Sequence, residues 1–308
     1  MKQPNLKINL VDFWDGFHKK DNYFYHLLSQ RYSITIDESD PDIVIGSFFN
    51  ERKGILRYSN HRSLKIYYTG ENDGPKEYPY DVSMTQHRVE NKKHFRLPLW
   101  AVFTSWFDES NFIHDRDPSY LVPWKSLDKS KIDLEAIVEN KKRFCSFIYA
   151  DLTRERQKWF ETLSFISRVD SAGSVLNNCA SRIPGRGDQV YKLAFLSDFI
   201  FSLAIENSQV DGYATEKLLH PMITVTIPVY WGDTNIQEDV NIKSIIDLRK
   251  PEKEILEEIK EIVGNRKFYL DKLSEKWFVI DHAKRYKEHS LQFIESHMLE
   301  KNLIMKDN

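Results

Sequence analysis

One pattern constrains this chain more than any other. Short runs dense in β-branched and aromatic residues alternate with helix-forming stretches, in two successive series along 308 residues. The first series holds LKINLVDF (6–13), the helical spacing of YFYHLLSQRY (23–32), and then SITID (33–37), DIVIGSFF (42–49) and LKIYYT (64–69). Such runs, bounded by turn residues, predict strands. Strands that alternate with helices predict a mainly parallel sheet. Residues 105–142 interrupt the pattern with Pro118, Pro123, charges and little periodicity. The alternation restarts at RFCSFIYA (143–150), followed by a helix over 151–167 whose Trp159, Phe160, Leu163 and Ile166 share one face, with Asp151 or Thr153 as its cap. DFIFSLAI (198–205), TVTIPVYWG (224–232) and SIIDL (244–248) read as strands, with a helix starting near Thr215 between the first two. PEKEILEEIKEIVGN (251–265) opens with a proline and acids, as a helix N-terminus prefers, and the chain stays helical to its end. The expected fold class is therefore α/β, with two Rossmann-like domains facing a cleft, residues 1–135 and 136–265, and a helical tail, 266–308. Ligands of open parallel sheets lie beyond the carboxyl ends of the strands.

Composition removes several function classes. A formal net charge of -2 argues against a dedicated nucleic-acid binder. Cys145 and Cys179 form neither a metal-ligand spacing nor a disulfide framework, and fit a reducing compartment. The N-terminal run MKQPNLKINLVDFW has no long apolar segment before a cleavage site, and no stretch approaches a membrane span, so the chain is expected to work without a transmembrane anchor of its own. No dinucleotide-binding, Walker, nucleophile-elbow or H-E-x-x-H motif is present. Two triplets, Asp40-Pro41-Asp42 and Asp115-Arg116-Asp117, have a spacing able to hold a divalent metal. The first reads better as turn chemistry before a strand, the second lies in the irregular segment, and no metal is expected at either.

The most informative stretch is IENSQVDGYATEKL (205–218) with IPVYWGDTNI (227–236). A strand ending at Ile205 places Glu206, Asn207 and Ser208 at its carboxyl end. A loop with Gly212 leads to a helix start at Thr215, with Glu216 and Lys217 in the first turn. Backbone N–H groups without intrahelical partners there favour an anion, and Lys217 adds positive charge, which together suit a diphosphate. On composition alone, an ordinary capped helix with exposed Glu and Lys accounts for the same residues better.

The run ENSQVDGYATEKLL followed by IPVYWG resembles the signature of the α1,3-fucosyltransferase family, its short bacterial members above all. VDFW (11–14), LLSQRYSIT (27–35), YYTGEN (67–72) and RLPLW (96–100) resemble that family's N-terminal domain in the same order. ERQKWFETL (155–163) and GSVLNN (173–178) resemble the opening of its donor domain, so the resemblance covers about residues 6 to 250. The tail departs from it, with no heptad repeats and no strongly basic amphipathic helix.

The resemblance implies a GT-B architecture, GDP-fucose held by the C-terminal domain, an oligosaccharide acceptor held by the N-terminal one, inversion at the anomeric carbon, and no required metal or cofactor. It implies Glu71 as the base, Arg156 and Lys217 on the diphosphate, with Arg154 as the rival of Arg156, and Glu216 on sugar hydroxyls or on positive charge at the ring. Asn207 and Tyr213 match donor contacts, Ser174, Val175 and Asn177 are expected near the nucleotide, and Tyr230 and Trp231 are expected to be packing residues. The acceptor it suggests is a β-galactoside of the N-acetyllactosamine type, fucosylated on GlcNAc O3. The expected setting is the cytoplasm or the inner face of a bacterial membrane, as a monomer or homodimer without nucleic acid. Two alternatives stand beside this reading: a transferase of another nucleotide sugar, and an inactive carbohydrate-binding homologue.

Overall fold

The computed structural model of the chain describes residues 3–107, 121–180, 182–183 and 189–305. The chain divides into two compact units, Met1–Trp124 with Asp281–Asn308, and Lys125–Ile280. In the first unit, β1 (Asn5–Val11), β2 (Ser33–Ile36), β3 (Ile43–Gly46), β4 (Leu64–Tyr68), β5 (Val82–Thr85) and β6 (His94–Arg96) form one sheet in the order β2-β1-β3-β4-β5-β6. Every pairing in it is parallel. β3, β4 and β5 are buried along their whole length, as a parallel sheet covered on both faces requires. β7 (Thr104–Ser105) and β8 (Val122–Pro123) make a separate short parallel pair.

The second unit repeats the theme. Its strands β9 (Arg143–Phe147), β10 (Val169–Ser171), β11 (Phe199–Ile205), β12 (Ile227–Trp231) and β13 (Ile246–Asp247) are all parallel, in the order β10-β9-β11-β12-β13. The helix Arg154–Ser164 starts where the Thr153 Oγ1 accepts the Arg156 N–H at 3.3 Å, which selects Thr153 over Asp151 as the cap. Its Trp159 and Leu163 are buried in the core with Phe147, Phe201 and Val229. Burying two such side chains contributes about 3–6 kcal/mol before chain entropy is counted.

The observed units part at 124/125 and 280/281 rather than at the expected 135/136, and the tail is divided between them. The helix Arg266–Ser274 stays with the second unit, where Tyr269 and Leu273 enter its core and Arg266 pairs with Glu139 at 3.3 Å. Residues from 281 onward return to the first unit. The Tyr23 hydroxyl donates to the Tyr286 carbonyl and lies 2.8 Å from the Ser290 Oγ; Glu295 takes Arg31 at 2.6 Å; and Lys301 takes Asp81 at 2.7 Å. A hydrophobic, mixed-charge tail of this kind carries no sequence cue to which core it joins. Strands β5, β6 and β10 were likewise not foreseen. VSMT, HFR and VDS are short or polar, and Asp170 on β10 is held there by Arg143 and Arg168 at 3.1 and 2.6 Å. Among the described residues no helix is long and apolar enough to cross a membrane.

Candidate active site

In a doubly wound sheet, strands on the two sides of the first strand lead away in opposite senses, and their diverging connections open a crevice at the carboxyl edge. In the second unit that point lies between β9 and β11, and the chemistry-bearing residues gather there. Tyr149 follows β9, and its hydroxyl donates to the Leu203 carbonyl at 2.7 Å and accepts the Ile205 N–H at 2.7 Å. Arg156, from the first turn of the next helix, is buried and lies over the Tyr149 ring, 4.1 Å from its centroid. Its guanidinium donates to the Ile205 carbonyl (3.1 Å), the Asp151 carbonyl (2.9 Å) and the Asn207 Oδ1 (2.6 Å). Arg156 therefore fastens the carboxyl end of β11 and orients Asn207, which is itself exposed. Arg154, two residues earlier on the helix, points to solvent.

Glu206, completely buried, is the centre of the next layer. Its carboxylate accepts from the Thr215 N–H (2.7 Å) and hydroxyl (2.7 Å), fixing the cap of the helix Glu216–Ile223. Gly232 makes room for it: a Cβ there would lie 2.4 Å from the Glu206 Cγ. The glycine after Tyr230-Trp231 thus follows from the buried carboxylate. The Tyr230 hydroxyl donates to the Tyr213 carbonyl at 3.3 Å, and accepts the Asp233 N–H at 3.0 Å. Tyr230 is a packing residue, and Trp231 packs against the core.

Lys217 extends its ammonium between two carboxylates, Glu206 at 3.4 Å and Glu216 at 3.5 Å, with the Thr215 Oγ1 at 3.2 Å. Burial by itself would discharge the amine, but Glu216 and Glu206 prevail and hold it protonated above its ordinary range. Burial also disfavours the Glu216 carboxylate, yet the charges of Lys217 and Lys192 keep it ionised below the usual range. For Glu206 burial dominates and lifts the carboxyl, against Lys217.

Two further groups complete the cluster, and sequence reasoning named neither. Lys192, half-buried on the helix Gln189–Leu196, makes no hydrogen bond or ion pair to another described residue, and burial lowers its amine against the pull of Glu216. His220 is buried with its Nδ1 unpaired, and burial, with the Lys192 charge adding to it, keeps the ring neutral. Both line a cavity of about 20 Å³ with Tyr149 and Lys217, large enough for one water. The sole cue in the sequence was a lysine inside the apolar run QVYKLAFL.

The remaining expected donor contacts are placed unequally. Tyr213 is 1% exposed, so its ring belongs to the interior. Ser174, Val175 and Asn177 lie in the loop after β10, at the same carboxyl edge, with Ser174 and Asn177 exposed. The Ser174 and Val175 N–H groups donate to the Tyr149 carbonyl at 2.8 and 3.3 Å, and Asn177 donates to the Gly173 carbonyl at 3.0 Å. Gly173 permits that approach, since a Cβ would sit 2.4 Å from the Tyr149 backbone.

In the first unit, Glu71 stands just past β4 at the carboxyl edge of that sheet. It is exposed, its N–H bonds the Thr69 Oγ1 at 3.0 Å, and its carbonyl accepts the Asp73 N–H at 2.8 Å. Asn72 contacts His87 at 2.9 Å. Of the two acidic triplets, Asp115 to Asp117 lies outside the described residues. Asp42 accepts the Lys7 N–H at 2.9 Å, and Asp40 meets Lys7 and His61 at 3.5 and 3.3 Å, so the triplet ties the turn to neighbouring segments. Among the described residues no group of three or more His, Cys, Asp or Glu is placed to hold a metal ion.

Comparison with known proteins matches the chain in two stretches, the second of which runs past residue 280 into the segment that joins the first unit. Residues 8–103 match the alpha-(1,3)-fucosyltransferase FucT N-terminal domain. Residues 138–299 match the glycosyltransferase family 10 (fucosyltransferase) C-terminal region. The chain is similar to alpha-(1,3)-fucosyltransferase FucT of Helicobacter pylori, 28% identical over 297 residues that cover 88% of this chain and 60% of that protein. It is also similar to alpha-(1,3)-fucosyltransferase B of Drosophila melanogaster, 31% identical over 131 residues, 39% of this chain and 29% of that one. The chain thus spans about three-fifths or less of the length of these relatives. A crystal structure of an alpha1,3-fucosyltransferase with GDP-fucose superposes over 100% of this chain and 94% of its own, with TM-score 0.73 at 25% identity. One of an alpha1,3-fucosyltransferase with GDP gives 0.72 at 24% identity, over 97% and 91%. The α/β fold of the GT-B kind, with two Rossmann-like domains, is the fold this likeness shows.

Proposed function

This chain belongs to glycosyltransferase family 10, the fucosyltransferases, and from that premise we propose that it transfers L-fucose with inversion from GDP-fucose to O3 of GlcNAc in an N-acetyllactosamine-type glycan. The observation that carries the reading is the carboxyl edge of the second sheet, where Lys217 and Lys192 line one cavity with Tyr149, and Arg156 stacks on the same Tyr149 ring, beside the N-terminus of the helix Glu216–Ile223. A nucleoside diphosphate is the ligand such an edge suits.

Transfer is one in-line displacement. The acceptor hydroxyl attacks the anomeric carbon while GDP departs, through a transition state with oxocarbenium character. Glu71, an exposed carboxylate at a sheet's carboxyl edge, takes the hydroxyl proton. Positive charge answers the developing charge on the diphosphate. Lys217 is held charged by its two carboxylates. Lys192 makes no hydrogen bond or ion pair to another described residue, and Glu216 supports its charge. Arg156 lends donors to Asn207 and to the Asp151 carbonyl, contacts that phosphate oxygens would replace. Glu216, kept ionised, faces sugar hydroxyls or the cationic ring rather than phosphate, because like charges repel. Ser174, Val175 and Asn177 are assigned to the nucleotide, and Tyr213 supports the site from within. No divalent metal is required in this scheme.

The test is a transfer assay with N-acetyllactosamine, EDTA present, and GDP-fucose offered beside UDP-galactose, UDP-glucose and GDP-mannose, with products read by mass spectrometry. A fucosylated disaccharide from GDP-fucose alone is the expected result. A product from another donor, or absence of GDP binding by calorimetry, would overturn the reading.

A further inference from the structure

The first unit has its own crevice. Its sheet order diverges between β1 and β3, and just beyond the end of β3 opens a pocket of about 490 Å³, within the range of small-ligand sites. Phe48, Arg52, Leu56, Asp73 and Tyr78 line it. Nothing in the donor chemistry uses these residues.

Three features set this pocket apart from ordinary surface. Tyr78 is 77% exposed and Leu56 47%, so most of a ring and about half of an aliphatic side chain face water. Asn50, Glu51 and Arg52 follow one another with φ of 52°, 55° and 60°, a left-handed run that L side chains rarely adopt and that costs stability to hold. The Arg52 guanidinium, half-buried, makes no hydrogen bond or ion pair to another described residue. The acids around it are otherwise engaged: Glu51 pairs with Lys53 at 2.8 Å, and Asp73 takes Lys76 and the Tyr67 hydroxyl, each at 2.6 Å. The pocket thus offers an apolar platform, five donors on one fork and a fixed carboxylate, the combination that binds a sugar through its C–H face and its hydroxyls.

Its position supplies the occupant. Asp73 belongs to the same turn as Glu71, whose carbonyl accepts the Asp73 N–H. The turn therefore leads from Glu71 to the pocket wall at Asp73, a path along which a glycan whose hydroxyl meets Glu71 would reach the pocket. We propose that this pocket is an acceptor subsite that holds a sugar beyond the fucosylated disaccharide, stacked on Tyr78 with hydroxyls bonded to Arg52 and Asp73. The proposal rests on the fucosyltransferase reading and adds to it a preference for longer acceptors.

The experiment compares kcat/KM for N-acetyllactosamine with that for a tetrasaccharide ending in the same unit, using the full chain. Wild type should prefer the tetrasaccharide. Tyr78→Ala and Arg52→Ala should each cut that preference about tenfold, while Tyr78→Phe should retain it. Calorimetric titration of the tetrasaccharide in the presence of GDP should show the same loss of affinity. Equal kcat/KM for the two acceptors in wild type, or an undiminished preference in both alanine variants, would overturn the subsite. If wild type transferred no fucose at all, the enzymatic reading would fall, and the titration would still decide whether Tyr78 and Arg52 bind glycan.

Discussion

Replacing Lys217 by Met keeps the length of the side chain and removes the ammonium that lies 3.4 Å from Glu206 and 3.5 Å from Glu216. At about 3.4 Å and an effective dielectric of about 20, each contact is worth about 5 kcal/mol of attraction. Desolvation of the charges offsets much of this in the native protein. Deleting one partner of a buried pair nevertheless costs about 3–5 kcal/mol, because the other is left uncompensated. Glu206 is the partner that suffers, since it is completely buried while Glu216 keeps some contact with water. In the second unit this loss should lower the melting temperature by on the order of 10 °C.

The sign of the pH dependence follows from the same carboxyl. Glu206 already has a raised folded pKa through burial, and loss of Lys217 raises it further. A carboxyl with a raised folded pKa destabilises above that pKa and ceases to do so once protonated. The deficit of Lys217→Met against wild type should therefore be largest at pH 8 and shrink toward pH 5.5, read by urea unfolding at both. Adding Glu206→Gln should restore part of the stability at pH 8. A deficit under about 1 kcal/mol at pH 8, or one equal at the two pH values, would refute the account of a buried carboxylate held by this lysine.

Other expectations are more direct. Glu71→Gln should bind GDP-fucose nearly as wild type does while kcat falls about 100-fold or more, measured by steady-state transfer; wild-type turnover would remove Glu71 as the base. Lys192→Ala removes a half-buried cation that makes no hydrogen bond or ion pair to another described residue, so the melting temperature should change little while the KM for GDP-fucose rises about tenfold; an unchanged KM would take Lys192 out of the donor site. Arg156→Lys cannot reproduce a fork that serves Ile205, Asp151 and Asn207 at once, and should cost about 2–4 kcal/mol in unfolding experiments together with donor affinity. Burial holds the amines of Lys129 and Lys141 down to about 7. The folded state then binds fewer protons than the unfolded chain above pH 7, so stability should climb from pH 7 to 9 by up to about 1.4 kcal/mol per pH unit for each lysine. Lys141→Met should flatten part of that rise.

Much of this was legible in the chain itself. The alternation of apolar runs and helices determined two parallel α/β units, because a strand buried on both faces needs a run dominated by apolar residues, as β3 has throughout and β4 and β11 have with one polar residue each. Thr215 as a cap, Thr153 as one of two candidate caps, and Glu206 and Asn207 at a strand's end were equally local, since capping is decided by a few neighbouring residues. Tertiary structure alone decided the rest. It took residues 281–305 back to the first unit, through Tyr286, Glu295 and Lys301, whose partners lie more than 200 positions away. It turned Arg156 inward against Tyr149 and Tyr213 into the interior. It also brought Lys192 against the helix that carries Lys217 and His220, where burial sets their charge. No spacing in a sequence encodes burial, and burial is what separates a solvated lysine from one whose charge depends on its neighbours.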